Sequence, residues 1–270
     1  MGAQSLTVHG ISLQDLTQAQ QFAGMQLTLK GGMQAGLPLA NPRQAGLITA
    51  GYIYQSFGNW EGTEMTLDFV VLPPIYTFQS PGNLVLNWRA NTTLSSALTQ
   101  CLKVAYPSIP VSVNLTTDAV QAHDEAVYFS TFDQMAQWVM QITEIRTLNP
   151  VYMVNQGGRI EVFDSGYKPE TIQIQFTDLV GQPTWIAANT MQVKMVLRAD
   201  IQVGSIVTMP QGLQSTPGIV LTSASAYPSQ IKYKTAFKGK FFVKELRHIG
   251  NFRTPDGSSW VTVANCTVQG

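Results

Sequence analysis

The chain of 270 residues balances 16 Lys and Arg against 16 Asp and Glu, and its charged fraction of 12% is about half the ~25% usual for soluble domains. A neutral, charge-poor chain argues against electrostatic capture of nucleic acid or of an anionic membrane. With 44% hydrophobic residues, a monomer would have weak colloidal protection, so burial of the exterior in an assembly is expected.

At this length the chain can form one large β unit or two to three small domains, burying roughly 75% of its unfolded surface. No apolar run approaches the ~18 residues of a membrane span. The start MGAQSLTVHG lacks the basic and apolar regions of a signal peptide, so a chain made and kept in a cytoplasm until assembled is expected. Cys101 and Cys266 lie far apart and neither belongs to a CxxC pair, so both are expected as reduced core residues.

In chain order, Met25, Leu27 and Leu29 alternate with Gln26, Thr28 and Lys30, which predicts a half-buried strand ended by Gly31-Gly32. Residues 32–46, with their glycines and two prolines, read as a loop. Leu47 to Pro73 then reads as a hairpin with its turn at Gly58 to Gly62, and Thr63, Met65, Leu67, Phe69 and Val71 share one face. The character changes at Trp88. Leu94, Ala97, Leu98, Cys101, Leu102 and Ala105 recur at helical spacing behind cap oxygens at Asn91-Thr92-Thr93, until Tyr106-Pro107 closes the run.

A second helix is predicted from Thr131, its cap, to Ile145, with Phe132, Met135, Ala136, Val139 and Ile142 as its apolar stripe. Val151–Val154 and Arg159–Phe163 form a short hairpin across Asn155 to Gly158, completing a small α+β insert. From Thr171 the β character returns. Ile172, Ile174 and Phe176 alternate with Gln173 and Gln175, and Met191, Val193, Met195 and Leu197 alternate with Gln192, Lys194, Val196 and Arg198. Leu197 to Pro210 reads as strand, turn through Ala199-Asp200, and strand, followed by a loop over Gly212–Ser229.

Gly239 to Val268 reads as the closing hairpin, turning at Thr254-Pro255-Asp256-Gly257. Its first strand mixes charged and apolar groups on both faces, with Glu245, Arg247 and Ile249 on one and Lys244, Leu246 and His248 on the other. That pattern predicts a bulge, or a second contact surface on each side.

Two stretches of this second β block carry a resemblance. Met195 to Gly204, MVLRADIQVG, with Ile206-Val207 and Pro210, and Lys240 to Gly250, KFFVKELRHIG, with Trp260-Val261-Thr262, resemble the baseplate hub proteins of contractile phage tails and of phage-like injection machines. The first looks like the family's strand, acidic turn, Pro-Gly corner and strand, and the second like its closing hairpin. Val203 stands where proline is frequent, Asn251 where Asp is usual, and Val261 separates Trp260 from Thr262.

The resemblance implies a mainly β fold, with two β-barrel-like tube domains at 1–87 and 171–270 flanking an α+β intermediate domain at 88–170. It implies a homotrimeric ring whose pseudo-sixfold rim adapts a hexameric tail tube to a trimeric central spike. The implied partners are a second and third copy, the tail tube protein, the central spike protein and other baseplate proteins, with no specific nucleic acid and no stable membrane association. The implied location is the virion baseplate, assembled in the host bacterial cytoplasm. Leu197, Asp200, Gly204, Pro210, Phe242, Val243, His248, Gly250 and Trp260 become structural signature positions, and no catalytic, cofactor-binding or metal-binding residue is implied. No residue-level repeat between the two β blocks is visible in the sequence.

Other chemistry finds weaker footing. His123 in Ala122-His123-Asp124-Glu125 has neighbours that diverge, so a solvated turn is the better reading than a metal site. His248 reads as a structural hydrogen-bonding group. No G-x-S-x-G elbow exists, and Cys101 falls on an apolar stripe where thiols are inert. Gly31-Gly32 and Gly157-Gly158 serve turns. Lys232, Lys234, Lys238, Lys240 and Lys244 read as a solvated or subunit-facing strand edge rather than a DNA contact. The alternative function is a tail-tip protein that binds or cleaves cell-wall glycan, with Glu61, Glu64, Asp124 and Glu125 as carboxylates and Trp60, Trp185 and Trp260 as sugar platforms.

Overall fold

A computed structural model describes residues 4–32, 41–76, 82–210, 237–251, 253–254 and 259–269. The loop expected over Gly212–Ser229, Lys232, Lys234 and the turn residues Pro255, Asp256 and Gly257 lie outside the described residues. The fold is mainly β with an α+β insert, in two compact units: Met1–Leu29 with Thr49–Tyr167, and Lys30–Ile48 with Lys168–Gly270. The connection Lys30–Ile48 thus belongs with the C-terminal residues, a grouping that chain order does not show.

The first sheet comprises β1 (Gln4–His9), β2 (Gln26–Gly31), β3 (Gly46–Glu61) and β4 (Glu64–Leu72), in the order β1-β4-β3-β2. Leu67, Phe69 and Val71 of β4 alternate inward, as their period of two requires, and are buried with Ile53 and Ala19. A short helix α1 (Leu13–Thr17), capped by the Ser12 hydroxyl accepting from the Asp15 N–H, links β1 to the rest. The hairpin turn is tighter than expected. Glu61 pairs with Glu64 across Gly62-Thr63, so Gly58 to Glu61 are strand, and Gly62 at φ +60° makes the two-residue turn.

The insert comprises β5 (Leu84–Trp88), α2 (Leu94–Ala105), β6 (Val111–Asn114), β7 (Glu125–Phe129), α3 (Phe132–Thr147), β8 (Val151–Gln156) and β9 (Arg159–Asp164). Thr93 and Thr131 cap α2 and α3, their hydroxyls accepting from the Ser96 and Gln134 N–H groups. The apolar stripes Leu94, Leu98, Leu102 and Met135, Val139 are essentially solvent-free. Each such side chain is worth about 1.5–3 kcal/mol of burial. The helices pack with the pair β5–β7 and the sheet β6-β9-β8. The insert's core reaches back through Leu84 to Ile75, upstream of the change at Trp88.

The second large sheet comprises β10 (Thr171–Gln173), β11 (Thr184–Ala187), β12 (Thr190–Val196), β13 (Ile206–Thr208), β14 (Lys240–Gly250) and β15 (Trp260–Val268), in the order β10-β13-β14-β15-β12-β11. Met191, Val193, Met195, Val243, Ala264 and Cys266 fill its core. The strand expected over Ile172, Ile174 and Phe176 stops at Gln173. A 3-10 turn at Phe176–Asp178 breaks the alternation and leaves Phe176 71% exposed. Among the described residues both large sheets are open rather than closed into barrels, with β1 and β2 at the edges of the first and β10 and β11 at those of the second.

Candidate functional site: a corner and hairpin used twice

The signature residues converge on the inner four strands of the second sheet. β12 runs to Val196 and the chain turns at Val203-Gly204, where Gly204 takes φ +92°, a backbone conformation that an L side chain resists. The Gly204 N–H donates to the Val243 carbonyl at 2.9 Å, and the Val243 N–H returns to the Ser205 carbonyl at 2.9 Å. The expected bulge is present: Val243 opposes Cys266 and Glu245 opposes Asn265, leaving Lys244 as the extra residue. Phe242 pairs with Ile206 on one side and Thr267 on the other. Pro210 follows the end of β13 and is half-buried.

At the far end of the hairpin, Gly250 sits opposite Trp260. A Cβ there would lie 2.9 Å from the indole ring, so glycine lets the ring approach the strand. The Leu197 N–H donates to the Trp260 carbonyl at 3.0 Å. His248 opposes Thr262, with Nδ1 and the hydroxyl 3.0 Å apart. The fully buried Thr262 hydroxyl also donates to the Arg198 carbonyl at 3.1 Å and accepts the Arg198 N–H at 3.0 Å. Its single proton is thus committed, so His248 Nδ1 is the donor. Burial lowers the His248 pKa, consistent with a neutral ring holding strand to corner.

Arg198, part of the resembling stretch but not one of the signature positions, is the centre of the corner. It is 2% exposed, and its Nε and Nη2 donate to both oxygens of Asp200 at 2.7 Å while Nη1 donates to Asp178 at 3.0 Å. Burial opposes its charge, but the two carboxylates outweigh that and raise its pKa. Asp178 also accepts from the Gln175 N–H at 2.9 Å and from Gln44 Nε2 at 2.8 Å, and the Ala199 N–H donates to the Gln44 carbonyl at 2.7 Å. The cluster therefore ties the 3-10 turn at Pro42–Gln44 to the corner after β12. Asp200, the signature acid, serves as half of this bidentate pair.

The first sheet repeats the arrangement residue by residue. Its order β1-β4-β3-β2 matches β12-β15-β14-β13 strand for strand in the same chain order. The Gly24 N–H donates to the Ile53 carbonyl at 2.7 Å, the Ile53 N–H returns to the Met25 carbonyl at 2.9 Å, and Gly24 takes φ +84°. β3 is bulged immediately after Ile53, at Tyr54. Gln4, Val71 and Ile53 form one row across the sheet, as Met191, Cys266 and Val243 do in the other. Counting along the strands from this row sets Gly58 against His248, Leu67 against Thr262, and the pair Trp60–Met65 against Gly250–Trp260. Each hairpin thus carries a tryptophan in the same cross-strand pair but on opposite strands. Where His248 fills the second repeat, Gly58 leaves room in the first for Leu16 of α1, whose Cδ1 would lie 2.8 Å from an added Cβ.

The remaining candidates take local roles. His123 is exposed, and no group of three metal-binding side chains occurs among the described residues. Asp124 accepts the Ala90 N–H at 2.8 Å, and Glu125 pairs with Gln121 and, at 3.6 Å, with Arg146. Trp185 is buried against Phe237, with ring centroids 6.1 Å apart, whereas Trp60 and Trp260 are exposed. Cys101 and Cys266 are free, and burial pushes their thiols up to about 11 and about 12. Lys238, Lys240 and Lys244 are exposed.

No family model and no curated protein matches the chain. Solved structures do match in fold. An Escherichia coli component of the type VI secretion system, described as structurally similar to the T4 bacteriophage tail proteins gp27 and gp5, aligns with TM-score 0.56 and 10% identity over 99% of this chain and 70% of that one. A tail protein from Neisseria meningitidis MC58 aligns with TM-score 0.53 and 11% identity, covering 100% and 89%. The 43 kDa tail protein of prophage MuSo2 from Shewanella oneidensis aligns with TM-score 0.51 and 9% identity, covering 99% and 88%. The chain therefore shares its fold, along its whole length, with a component of a type VI secretion system and with two tail proteins, one of them from a prophage.

Proposed function

We propose that this chain is a structural component of a phage tail, and specifically the baseplate hub of a contractile tail or related injection machine. In this reading three copies form a ring, and each contributes two corner-and-hairpin units. A ring of three then presents six similar rims and joins a hexameric tube to a trimeric spike. The observation that carries the reading is the residue-level repeat: Gly24, Met25, Ile53 and the bulge at Tyr54 match Gly204, Ser205, Val243 and the bulge at Lys244. Whole-chain likeness to tail proteins supports it. The chemistry assigned is recognition and load-bearing rather than catalysis.

Co-expression with a tail tube protein and a central spike protein, followed by affinity capture and particle imaging, tests the proposal. A complex holding three copies of this chain between tube and spike is expected. Failure to associate with either protein would count against it.

A further inference from the structure

In the insert β5 pairs with β7 alone, so among the described residues its second edge carries N–H and C=O groups with no backbone partner. Edge strands are ordinarily guarded by charge, proline or a bulge, and the sequence LVLNW with its unbroken register has none of these. A cleft of about 260 Å³ opens beside it. Leu84, which points into the core, and Val85 and Asn87, which point the other way, all line the cleft, whereas no residue of β7 does, so it follows the free edge. Its other wall is α2, through Gln100, Cys101 and Val104. That helix buries most of its apolar residues against the core but leaves Val104 77% exposed. No charged side chain lines the cleft, and Lys103 stands exposed next to Val104.

We infer that this edge receives an extended segment of a partner protein, which adds to β5 as a third strand and lays small uncharged side chains between β5 and α2. Another backbone is what satisfies a strand edge, because donors and acceptors alternate there at the spacing of a strand. The cleft lies below the ~300–1,000 Å³ of small-molecule pockets. Its uncharged wall calls for apolar or hydroxyl side chains in the middle of the segment, and Lys103 for an acidic residue at its end. A second copy's β5 is a poor occupant. Antiparallel strands in one sheet are related by a two-fold axis normal to it, which would bring both α2 helices to the same face, each beside the shared edge. A peptide carries no such helix. The site lies in the insert, away from the repeated corners, so it stands or falls separately from the hub reading.

Fluorescence anisotropy on the full chain tests the inference with a labelled peptide of about nine residues, alternating threonine and valine with aspartate at each end. Saturable binding is expected, with amide exchange over Val85–Asn87 slowed in the complex. Methylating the backbone nitrogens along one edge of the peptide should weaken binding at least ~10-fold, and along the other edge should leave it unchanged, because a strand pairs through one edge. Val104→Asp should also weaken binding at least ~10-fold. Tyr128→Ser, exposed on β7 and outside the cleft, should not. Lys103→Glu should turn the preference from aspartate-ended to lysine-ended peptide. All three positions are exposed, so the melting temperature should stay that of wild type. No saturable binding below about 1 mM, equal effects of methylation on the two edges, or indifference to Val104→Asp would overturn the inference. A chain that self-associates without peptide and is dissociated by it would give the edge to a second copy and overturn the partner assigned.

Discussion

Gly24 and Gly204 hold one structural position in two sheets. Each is in the left-handed region, at φ +84° and +92°, and each donates its N–H to a buried β-branched residue, Ile53 or Val243, that stands immediately before a bulge. The bulge bends the long strand, and the paired hydrogen bonds fix where the preceding corner meets that bend. Both units therefore carry the same corner, set by the same backbone requirement.

Replacing either glycine by alanine is expected to cost about 1–2 kcal/mol, because an L side chain resists this backbone. An added Cβ at Gly24 meets no atom within 4 Å, so the cost there is backbone strain alone, and Asn should cost less than Ala. Urea unfolding of Gly24→Ala, Gly24→Asn and Gly204→Ala measures this. A repeat predicts that both positions rank Ala as harmful.

Thr262 holds the second corner. Thr262→Val keeps the volume but strands the Arg198 N–H and carbonyl and His248 Nδ1, so it should lose about 1–3 kcal/mol. Thr262→Ser should retain most of the stability. The contrast between the two in denaturant melts separates hydrogen bonding from packing.

Much of this fold is legible in the sequence, and the exceptions have physical reasons. Leu67, Phe69 and Val71, and Met191, Val193 and Met195, announce strands because one face is buried and the other is not. Thr93 and Thr131 announce helices because a hydroxyl before an apolar stripe has a defined capping role. Phe176 misleads because a 3-10 turn follows a strand too short to keep the alternation. β1, β5, β6 and β7 are short strands outside the strongest patterns, so pairing rather than periodicity defines them. The Arg198 cluster is hidden because Gln44 and Asp178 are 134 residues apart. The repeat is hidden because it preserves backbone geometry and not side chains. Gly58 against His248, and tryptophans on opposite strands, leave only glycines and a β-branched residue in common.

Asp178 should be the costliest polar deletion. Asp178→Ala leaves Arg198 Nη1 and Gln44 Nε2 buried without their shared acceptor and also frees the Gln175 N–H, and loss of about 3–5 kcal/mol is expected. Gln44→Ala removes one neutral-to-charged hydrogen bond and should cost about 1.5–3 kcal/mol. Thermal melts of both variants check the order.

Stability should fall at both ends of the pH range. The folded Cys266 thiol holds its proton to about 12, whereas in the unfolded chain it ionises near its ordinary value of 9.0. Its contribution is therefore complete below that ordinary value and is lost as pH rises through about 12. His248 has a lowered folded pKa, so its contribution is present above its ordinary value of 6.5 and is lost as pH falls through the folded value. Denaturant midpoints across pH should flatten at the alkaline end in Cys266→Ala and at the acid end in His248→Gln. Both thiols should resist a disulfide reagent at neutral pH until the chain is unfolded.

Imaging of an assembled tail particle with this chain located in it tests the central claim most directly. Three copies around the axis, with the β3–β4 and β14–β15 hairpins alternating at six equivalent places against the tube, are predicted. A single copy off the axis, or a ring in which the two hairpins occupy unrelated environments, would contradict the account.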